Sequence, residues 1–429
     1  MTTLLRLATA GSVDDGKSTL VGRLLYDTKS VLADQFDAVE RVSRDRGLDS
    51  ADLALLTDGL RSEREQGITI DVAYRYFATG ERSFILADCP GHVQYTRNTV
   101  TGASTADVVV LLVDVRKGLL EQTRRHLAVA SLLRVPHVIV VVNKIDLVDF
   151  DEATYDRVSA EVKSAAAALG LIDVTTVPVS ALAGDNVVTR SERTPWYDGP
   201  SLLGHLEQLS PKGDPEHEPL RFPVQVVIRP QSAADPRFRD YRGYAGQIAS
   251  GTVKVGDAVT ILPSGRTSTV AGIDFAGEEL DVAFAPQSVT LRLDDEIDIA
   301  RGDLIVGSDA VPVPTREIEG TVSWLTDRPL RAGARVLVKH GTRTVQAIVG
   351  AIGGRLDLDT ASLQPSDVLD LNDIGHVVLR LAADLPTEQY ADSRSTGAFL
   401  LIDPQDGGTL AAGMVGDALL ASVTAPPAP

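Results

Sequence analysis

The sequence predicts a multidomain protein in which an α/β domain with a doubly wound, mostly parallel sheet is followed by two all-β barrels. Apolar strands alternate with segments of helical spacing over residues 4–209, as expected for a parallel sheet covered by helices. A polar, Pro-rich linker follows at residues 210–219, and such a linker marks a domain boundary. Beyond it come short strands separated by turn residues, a spacing typical of small antiparallel barrels.

The first apolar strand, residues 4–10, leads into a loop that fits G-x-x-x-x-G-K-[ST] without a mismatch. A segment of helical spacing follows at residues 19–25. In this context the backbone N–H groups and the helix N-terminus converge on a polyphosphate, while Lys17 adds a positive charge and Ser18 offers a hydroxyl to Mg²⁺. The predicted phosphate-binding residues of this loop are Gly11, Ser12, Val13, Asp14, Asp15, Gly16, Lys17, Ser18 and Thr19.

A second apolar strand, residues 84–88, ends in D-x-x-G. We expect Asp88 to hold Mg²⁺ through water and the Gly91 N–H to meet a γ-phosphate. The predicted phosphate residues of this motif are Asp88, Cys89, Pro90 and Gly91. No His/Asn constellation near Cys89 suggests a nucleophile, so it is predicted to be a small packing residue. The long segment between the two motifs, residues 26–60, has the spacing of inserted helices.

A third strand, residues 138–142, ends in N-K-x-D, and a fourth ends in S-A-L. The Asp146 carboxylate can accept two hydrogen bonds from guanine, a pairing that adenine cannot offer, and a wrong base would leave buried polar groups unpaired. The predicted guanine-binding residues are Asn143, Lys144, Asp146, Ser180, Ala181 and Leu182. Four motifs in this order, each at a strand end, predict a GTP-binding domain that uses GTP as substrate and Mg²⁺ as cofactor.

The all-β region contains a second Pro-rich boundary at residues 311–314. The predicted domains are therefore residues 1–214, 215–311 and 312–424, with a disordered tail at 425–429. The predicted strands of the first barrel are 222–228, a strand–turn–strand unit at 247–257, 259–262, 268–275 and 288–293. Those of the second barrel are 320–325, 334–339, 344–352, 376–381 and 398–402.

Composition agrees with a cytoplasmic protein of several domains. The chain has 429 residues, too many for one core, and its single cysteine excludes a disulfide framework. The first strand begins almost at the N-terminus, so we expect no signal peptide, and no apolar run reaches the ~18 residues of a membrane span. The net charge is −18, whereas a nucleic-acid binder would normally show a basic face. We expect neither nucleic-acid nor membrane partners.

The order of the nucleotide motifs resembles that of the translation-factor-type GTPases, and the two predicted barrels make the whole layout elongation-factor-like. In this resemblance residues 67–71, GITID, form switch I. The resemblance implies that Thr69 binds Mg²⁺ in the GTP state. It also implies that His92, directly after D-x-x-G, is the catalytic residue that orients the attacking water.

Further segments are similar to one metabolic branch, the large GTP-binding subunit of the bacterial two-subunit ATP sulfurylase. These segments are GSVDDGKST (11–19), DVAYRYF (71–77), GHVQYTRN (91–98), TPWYDGP (194–200), YRGYAG (241–246) and DEIDIARGD (295–303). The resemblance implies that GTP hydrolysis drives formation of adenosine 5′-phosphosulfate and pyrophosphate from ATP and sulfate on a small, ATP-pyrophosphatase-like partner subunit. It also implies a heterodimer or a higher assembly of it. The chain itself contains no S-G-G-x-D-S loop and no second G-x-x-x-x-G-K-[ST].

Two alternatives share part of this evidence. An elongation factor that delivers aminoacyl-tRNA would carry the same nucleotide motifs, but the acidic balance and the second-domain segments favour the sulfurylase subunit. A GTP-dependent scaffold for metal delivery has little support, because the seven histidines and one cysteine form no H-x-H or C-x-x-C cluster. For Trp196 and Tyr197, aromatic packing is favoured over partner contact, while the cluster at 237–242 suits a solvated loop or a partner surface equally.

Overall fold

The structure is a computed structural model that describes residues 3–31, 33–45, 51–56, 69, 71–210, 215–230 and 240–416. The chain divides into two compact units, one built mainly from residues before 213 and the other mainly from those after it. The predictions for residues 67, 68 and 70, the linker residues 211–214, the loop residues 237–239 and the tail 425–429 lie outside the described residues. The three-domain bounds stay a prediction.

The first unit is built on a six-stranded sheet with the order β2-β3-β1-β4-β5-β6. All neighbouring strands are parallel except β2, which pairs antiparallel with β3 at the edge. The described strands are β1 (Thr3–Gly11), β2 (Ala73–Ala78), β3 (Arg82–Asp88), β4 (Val108–Asp114), β5 (His137–Asn143) and β6 (Val174–Val179). The predicted doubly wound, mostly parallel sheet is confirmed.

Most helices of this unit follow the carboxyl end of a strand, whereas the second helix follows the first. They are α1 (Lys17–Asp27), α2 (Ala33–Asp45), α3 (Thr96–Ala103), α4 (Glu121–Leu132), α5 (Glu152–Ala168) and α6 (Leu202–Gln208). Within the predicted inserted segment, α2 and a 3₁₀ turn at Leu53–Leu56 are described. Among the described residues, no helix combines the length and apolarity that a bilayer crossing requires.

The core of this unit explains the continuous apolar runs of the sequence. Every residue of β4 and of β5 is buried, since both strands lie inside the sheet with both faces covered. Leu20, Val21 and Leu24 of α1 pack onto this core. The helix that follows the glycine-rich loop is therefore fixed by its apolar face.

The second unit contains an antiparallel sheet of eight strands and a two-stranded ribbon, β10–β14, around one apolar core. Its strands are β7 (Arg221–Pro223), β8 (Val226–Ile228), β9 (Gly243–Gln247), β10 (Thr252–Lys254), β11 (Ala258–Leu262), β12 (Arg266–Phe275), β13 (Glu278–Leu280), β14 (Val282–Phe284), β15 (Ser288–Leu293) and β16 (Leu304–Gly307). The strand predicted at 222–228 is two short strands, and the unit predicted at 247–257 contains only the last residue of β9 and the strand β10. The strands β13, β14 and β16 were not predicted.

The following strands form a barrel that closes when β19 pairs with both β24 and β20. They are β17 (Thr315–Trp324), β18 (Leu330–Arg331), β19 (Arg335–His340), β20 (Arg343–Asp357), β21 (Ser362–Gln364), β22 (Val368–Leu369), β23 (Ile374–Leu385), β24 (Ala398–Ile402) and β25 (Thr409–Val415). The short strands β18, β21 and β22 were not predicted, and neither was β25, which pairs with the distant β17 and with its sequence neighbour β24. The two predicted all-β regions are confirmed.

Candidate nucleotide site

A cavity of about 320 Å³ opens beyond the carboxyl ends of β1 and β3, where ligands of open α/β sheets bind. It brings together the glycine-rich loop, the described switch I residue and the residues after D-x-x-G. The lining residues are Ser12, Val13, Asp14, Gly16, Lys17, Ser18, Thr19, Ala54, Thr69, Gly91, His92 and Lys144. Of these, the sequence analysis did not predict Ala54.

The glycine-rich loop is shaped by backbone that only glycine adopts easily. Gly16 caps α1 with φ 92°, a left-handed conformation that a side chain would strain. A Cβ there would also lie 2.4 Å from Nδ2 of Asn143. Inside the loop, the buried Asp15 carboxylate accepts a hydrogen bond from the Ser12 N–H at 2.9 Å. Burial raises the pKa of Asp15 to about 6, although the hydrogen bond from Ser12 acts to lower it.

The ammonium of Lys17 joins three separate segments. Nζ lies 2.8 Å from Oδ1 of Asp88 and 2.9 Å from Oγ1 of Thr69. The Asp88 carboxylate also accepts a hydrogen bond at 3.0 Å from the hydroxyl of Thr9 on β1. Lys17 and Asp88 are 7% and 1% exposed, so the charge of each is balanced by the other rather than by solvent. Lys17 and Thr69 line the cavity, and the Asp88 carboxylate meets them from behind its lining through Lys17.

The D-x-x-G turn lies directly against the glycine-rich loop. A Cβ on Gly91 would lie 2.3 Å from the carbonyl oxygen of Gly11, so only glycine allows this approach. His92 follows at the cavity wall, and its Nδ1 accepts a hydrogen bond from the Gln94 N–H at 3.4 Å. Cys89 is fully buried, and burial raises the pKa of its thiol to about 12. That environment keeps the thiol protonated, as expected for a packing residue.

Asn143 links the glycine-rich loop to the S-A-L turn. Its Nδ2 donates to the carbonyl of Asp15 at 2.7 Å, and its Oδ1 accepts from the N–H of Ala181 at 3.0 Å. The next residue, Lys144, has φ 63° and donates from Nζ to the carbonyl of Asp14. Asp146 follows in a 3₁₀ turn, Ile145–Val148, and is half-buried.

The S-A-L turn is held by a residue that the sequence analysis missed. Arg23 of α1 donates from Nε to the carbonyl of Ala181 at 3.3 Å and from Nη2 to that of Leu182. Ser180 is buried and accepts from the N–H of Ala183, whereas Leu182 is 67% exposed. Arg23 has no signal in the sequence, since its partners are more than 150 residues away. Asp146 and the S-A-L residues lie outside the cavity lining.

The aromatic residues of TPWYDGP pack inside the unit. The Trp196 Nε1–H donates to the carbonyl of Phe150 at 3.0 Å, and its ring lies 5.2 Å from that of Tyr155. The Tyr197 hydroxyl donates to the carbonyl of Pro200 at 3.0 Å. These contacts agree with the favoured interpretation, aromatic packing, and they support the segment that follows N-K-x-D.

Two family models match the chain. The Elongation factor Tu GTP binding domain matches residues 2–212, and the GTP-eEF1A C-terminal domain-like model matches residues 317–416. Among solved structures, the Ski7 GTPase-like domain of S. cerevisiae bound to GTP has a TM-score of 0.54 at 19% identity and covers 97% of each chain. That likeness concerns the fold. Fold, motifs and cavity together define a GTPase of the translation-factor class.

Curated relatives narrow this class. The chain is 54% identical to the bifunctional enzyme CysN/CysC of Mycobacterium tuberculosis over 97% of this chain and 67% of that protein. It is 49% identical to sulfate adenylyltransferase subunit 1 of Bacteroides fragilis, over 96% of this chain and 86% of that one. For the same subunit of Cellvibrio japonicus the identity is 47%, over 99% of this chain and 89% of that one. The chain therefore belongs to the sulfate adenylyltransferase subunit 1 family.

Proposed function

We propose that this chain is the GTPase subunit of a sulfate adenylyltransferase and that its GTP hydrolysis drives sulfate activation. In the driven reaction a sulfate oxygen attacks the α-phosphorus of ATP, adenosine 5′-phosphosulfate forms and pyrophosphate leaves. The observation that carries the proposal is that Lys17, which lines the cavity with Thr69, contacts both Thr69 and Asp88 in a chain of this family. Delivery of aminoacyl-tRNA, the alternative, is not favoured by the curated relatives.

The glycine-rich loop is the proposed polyphosphate site. Backbone N–H groups at the start of α1 and the Lys17 ammonium supply fixed positive charge. Gly91 lies against Gly11 of this loop, so we propose that the Gly91 N–H contacts the γ-phosphate of the nucleotide bound there. Asp146, with Asn143 and Lys144 fixing its turn, is the proposed guanine-reading carboxylate.

The oxygen atoms at this site fit Mg²⁺, which prefers hard oxygen ligands. The Ser18 and Thr69 hydroxyls line the cavity, and the Asp88 carboxylate shares the Lys17 ammonium with Thr69. We propose that Ser18 and Thr69 ligate the ion directly and that Asp88 holds it through water. When bound, Mg²⁺ neutralises charge on the β- and γ-phosphates.

His92 is the proposed catalytic residue. Its Nδ1 accepts from the Gln94 N–H, which leaves Nε2 to hold the attacking water. The water oxygen bonds to the γ-phosphorus and passes a proton to a γ-phosphate oxygen, while the bond from phosphorus to the β–γ bridging oxygen breaks and GDP leaves with that oxygen and its electron pair. Holding the water in line contributes mainly by positioning.

The partner is proposed to be a small, ATP-pyrophosphatase-like subunit that carries out adenylyl transfer, in a heterodimer or a higher assembly of it in the cytoplasm. The test is to purify the chain with its co-expressed partner and measure GTP hydrolysis with and without ATP and sulfate. We expect ATP plus sulfate to stimulate GTP hydrolysis, and GTP to raise the yield of adenosine 5′-phosphosulfate. A rate of GTP hydrolysis that does not change when ATP and sulfate are added would contradict the coupling.

A further inference from the structure

The buried carboxylate of Asp114, which is not one of the predicted site residues, receives four contacts from two neighbouring cations. Asp114 is the last residue of β4 and is 0% exposed. Arg116 donates to it from Nε at 3.0 Å, from Nη2 at 2.6 Å and from its backbone N–H at 3.0 Å. A fourth contact, 3.1 Å long, comes from Nζ of Lys144.

The Lys144 ammonium is therefore held at two points. One is the Asp114 carboxylate, and the other is the carbonyl of Asp14 in the glycine-rich loop. Register explains why the first contact is possible, because Asp114 on β4 is the partner of Asn143 on β5. Lys144 follows Asn143 directly and turns back through its left-handed backbone. Asp114 thus connects the base-reading turn to the phosphate loop through one lysine.

The neighbouring cations Arg116 and Lys144 keep the carboxylate of Asp114 charged. Burial alone would raise the pKa of its carboxyl, but hydrogen bonds from Arg116 and Lys144 outweigh burial and hold that pKa well below its usual range. A carboxylate that stays ionised in a buried place fixes the position of the cation facing it. The two cations differ in exposure, since the side chain of Arg116 is 47% exposed and that of Lys144 is 24% exposed.

We propose that Asp114 is a positioning residue for guanine-nucleotide retention, acting through Lys144. This inference rests on the proposed function, because it assumes that the cavity and the N-K-x-D turn hold a guanine nucleotide. Asp114 itself does not line the cavity. Its effect is on how long nucleotide stays bound and not on the chemical step.

The test compares release of a fluorescent GDP analogue from the full chain and from variants. Asp114→Asn should raise the dissociation rate by roughly tenfold, since a charge-assisted contact becomes a neutral one, while single-turnover GTP hydrolysis at saturating GTP stays within about threefold of the unmodified chain. Arg116→Ala is the matched control. It removes the more exposed partner and leaves the Lys144 contact, so release should change by less than about threefold.

A double-mutant cycle separates this role from a general structural one. In a Lys144→Ala background, Asp114→Asn should add less than about twofold to the release rate, because the partner through which Asp114 acts is gone. Full additivity, or release from Asp114→Asn at the unmodified rate, would overturn the proposal. Should Asp114→Asn not fold, Asp114→Glu retains the charge but lengthens the side chain. We then expect Asp114→Glu to release the GDP analogue faster than the unmodified chain, and we expect this difference to be absent in the Lys144→Ala background. Release from Asp114→Glu at the unmodified rate would overturn the inference.

The failure of this inference is distinguishable from that of the proposed function. If the unmodified chain does not bind the GDP analogue, the proposed nucleotide site is wrong. If the unmodified chain binds it and Asp114→Asn releases it normally, only the role of Asp114 is wrong.

Discussion

Replacing Asn143 by Asp should weaken GTP binding strongly although the two side chains have nearly the same shape. In the structure the Asn143 amide donates to the Asp15 carbonyl at 2.7 Å and accepts from the Ala181 N–H at 3.0 Å. A carboxylate can keep the second bond but not the first. It would place an acceptor oxygen against the acceptor carbonyl of Asp15, inside a pocket where Asn143 is 2% exposed.

The size of the effect follows from these bonds. A lost neutral hydrogen bond costs about 0.5–1.5 kcal/mol, and a buried carbonyl left unpaired costs about 1–3 kcal/mol more. The sum is about 1.5–4.5 kcal/mol, which corresponds to a loss of affinity of roughly 10- to 1,600-fold if it falls on nucleotide binding. Part of the cost will appear as lower stability, so both quantities have to be measured.

The assay is equilibrium titration of a fluorescent GTP analogue, together with the thermal unfolding of each variant. Asn186→Asp is the matched control. Asn186 is also buried, and its Nδ2 donates to the carbonyl of Pro178 at 2.9 Å, but none of its hydrogen bonds reaches the glycine-rich loop. It should lower stability with little effect on GTP affinity. If Asn143→Asp binds GTP within threefold of the unmodified chain, or if both variants lose the same affinity, Asn143 does not hold the glycine-rich loop for nucleotide binding.

Four further predictions concern the same site. Lys17→Ala and Ser18→Ala should each reduce nucleotide binding or Mg²⁺-dependent turnover severely, since a charge-assisted contact contributes about 1.5–3 kcal/mol; near-normal titrations and turnover in both would argue against the phosphate site. Asp146→Asn should shift preference from GTP towards xanthosine triphosphate, and unchanged discrimination in competition binding would exclude Asp146 as the base reader. His92→Ala should keep GTP affinity but lower single-turnover hydrolysis by ~10²-fold or more; in the assembled enzyme GTP should then no longer raise the phosphosulfate yield. Finally, because the pKa of Asp15 rises from 3.8 to about 6 on folding, its charged form opposes folding, and the unmodified chain loses up to about 3 kcal/mol between pH 4 and pH 8. Asp15→Asn should lack that loss in urea unfolding, and parallel pH profiles for both chains would contradict it.

Much of the fold was predictable because its signals are local. Buried parallel strands such as β4 and β5 read as unbroken apolar runs, and each motif lies where such a strand ends. A glycine with φ 92° at position 16 is required by the turn itself and is visible in the motif. The short strands of the barrels were harder to predict. The strand β16, for example, was not predicted, and its partners β11 and β7 come from distant parts of the chain.

The local patterns of the sequence were enough to identify the class of protein, and they predict the order of its domains and the residues proposed to meet phosphate and guanine. Only the tertiary structure placed Lys17 between Asp88 and Thr69, set Arg23 against the S-A-L turn and joined Asp114 to Lys144. The physical reason is that a motif records the backbone conformation of its own few residues. A charged side chain finds its partner through sheet register and helix packing, which many residues along the chain decide together.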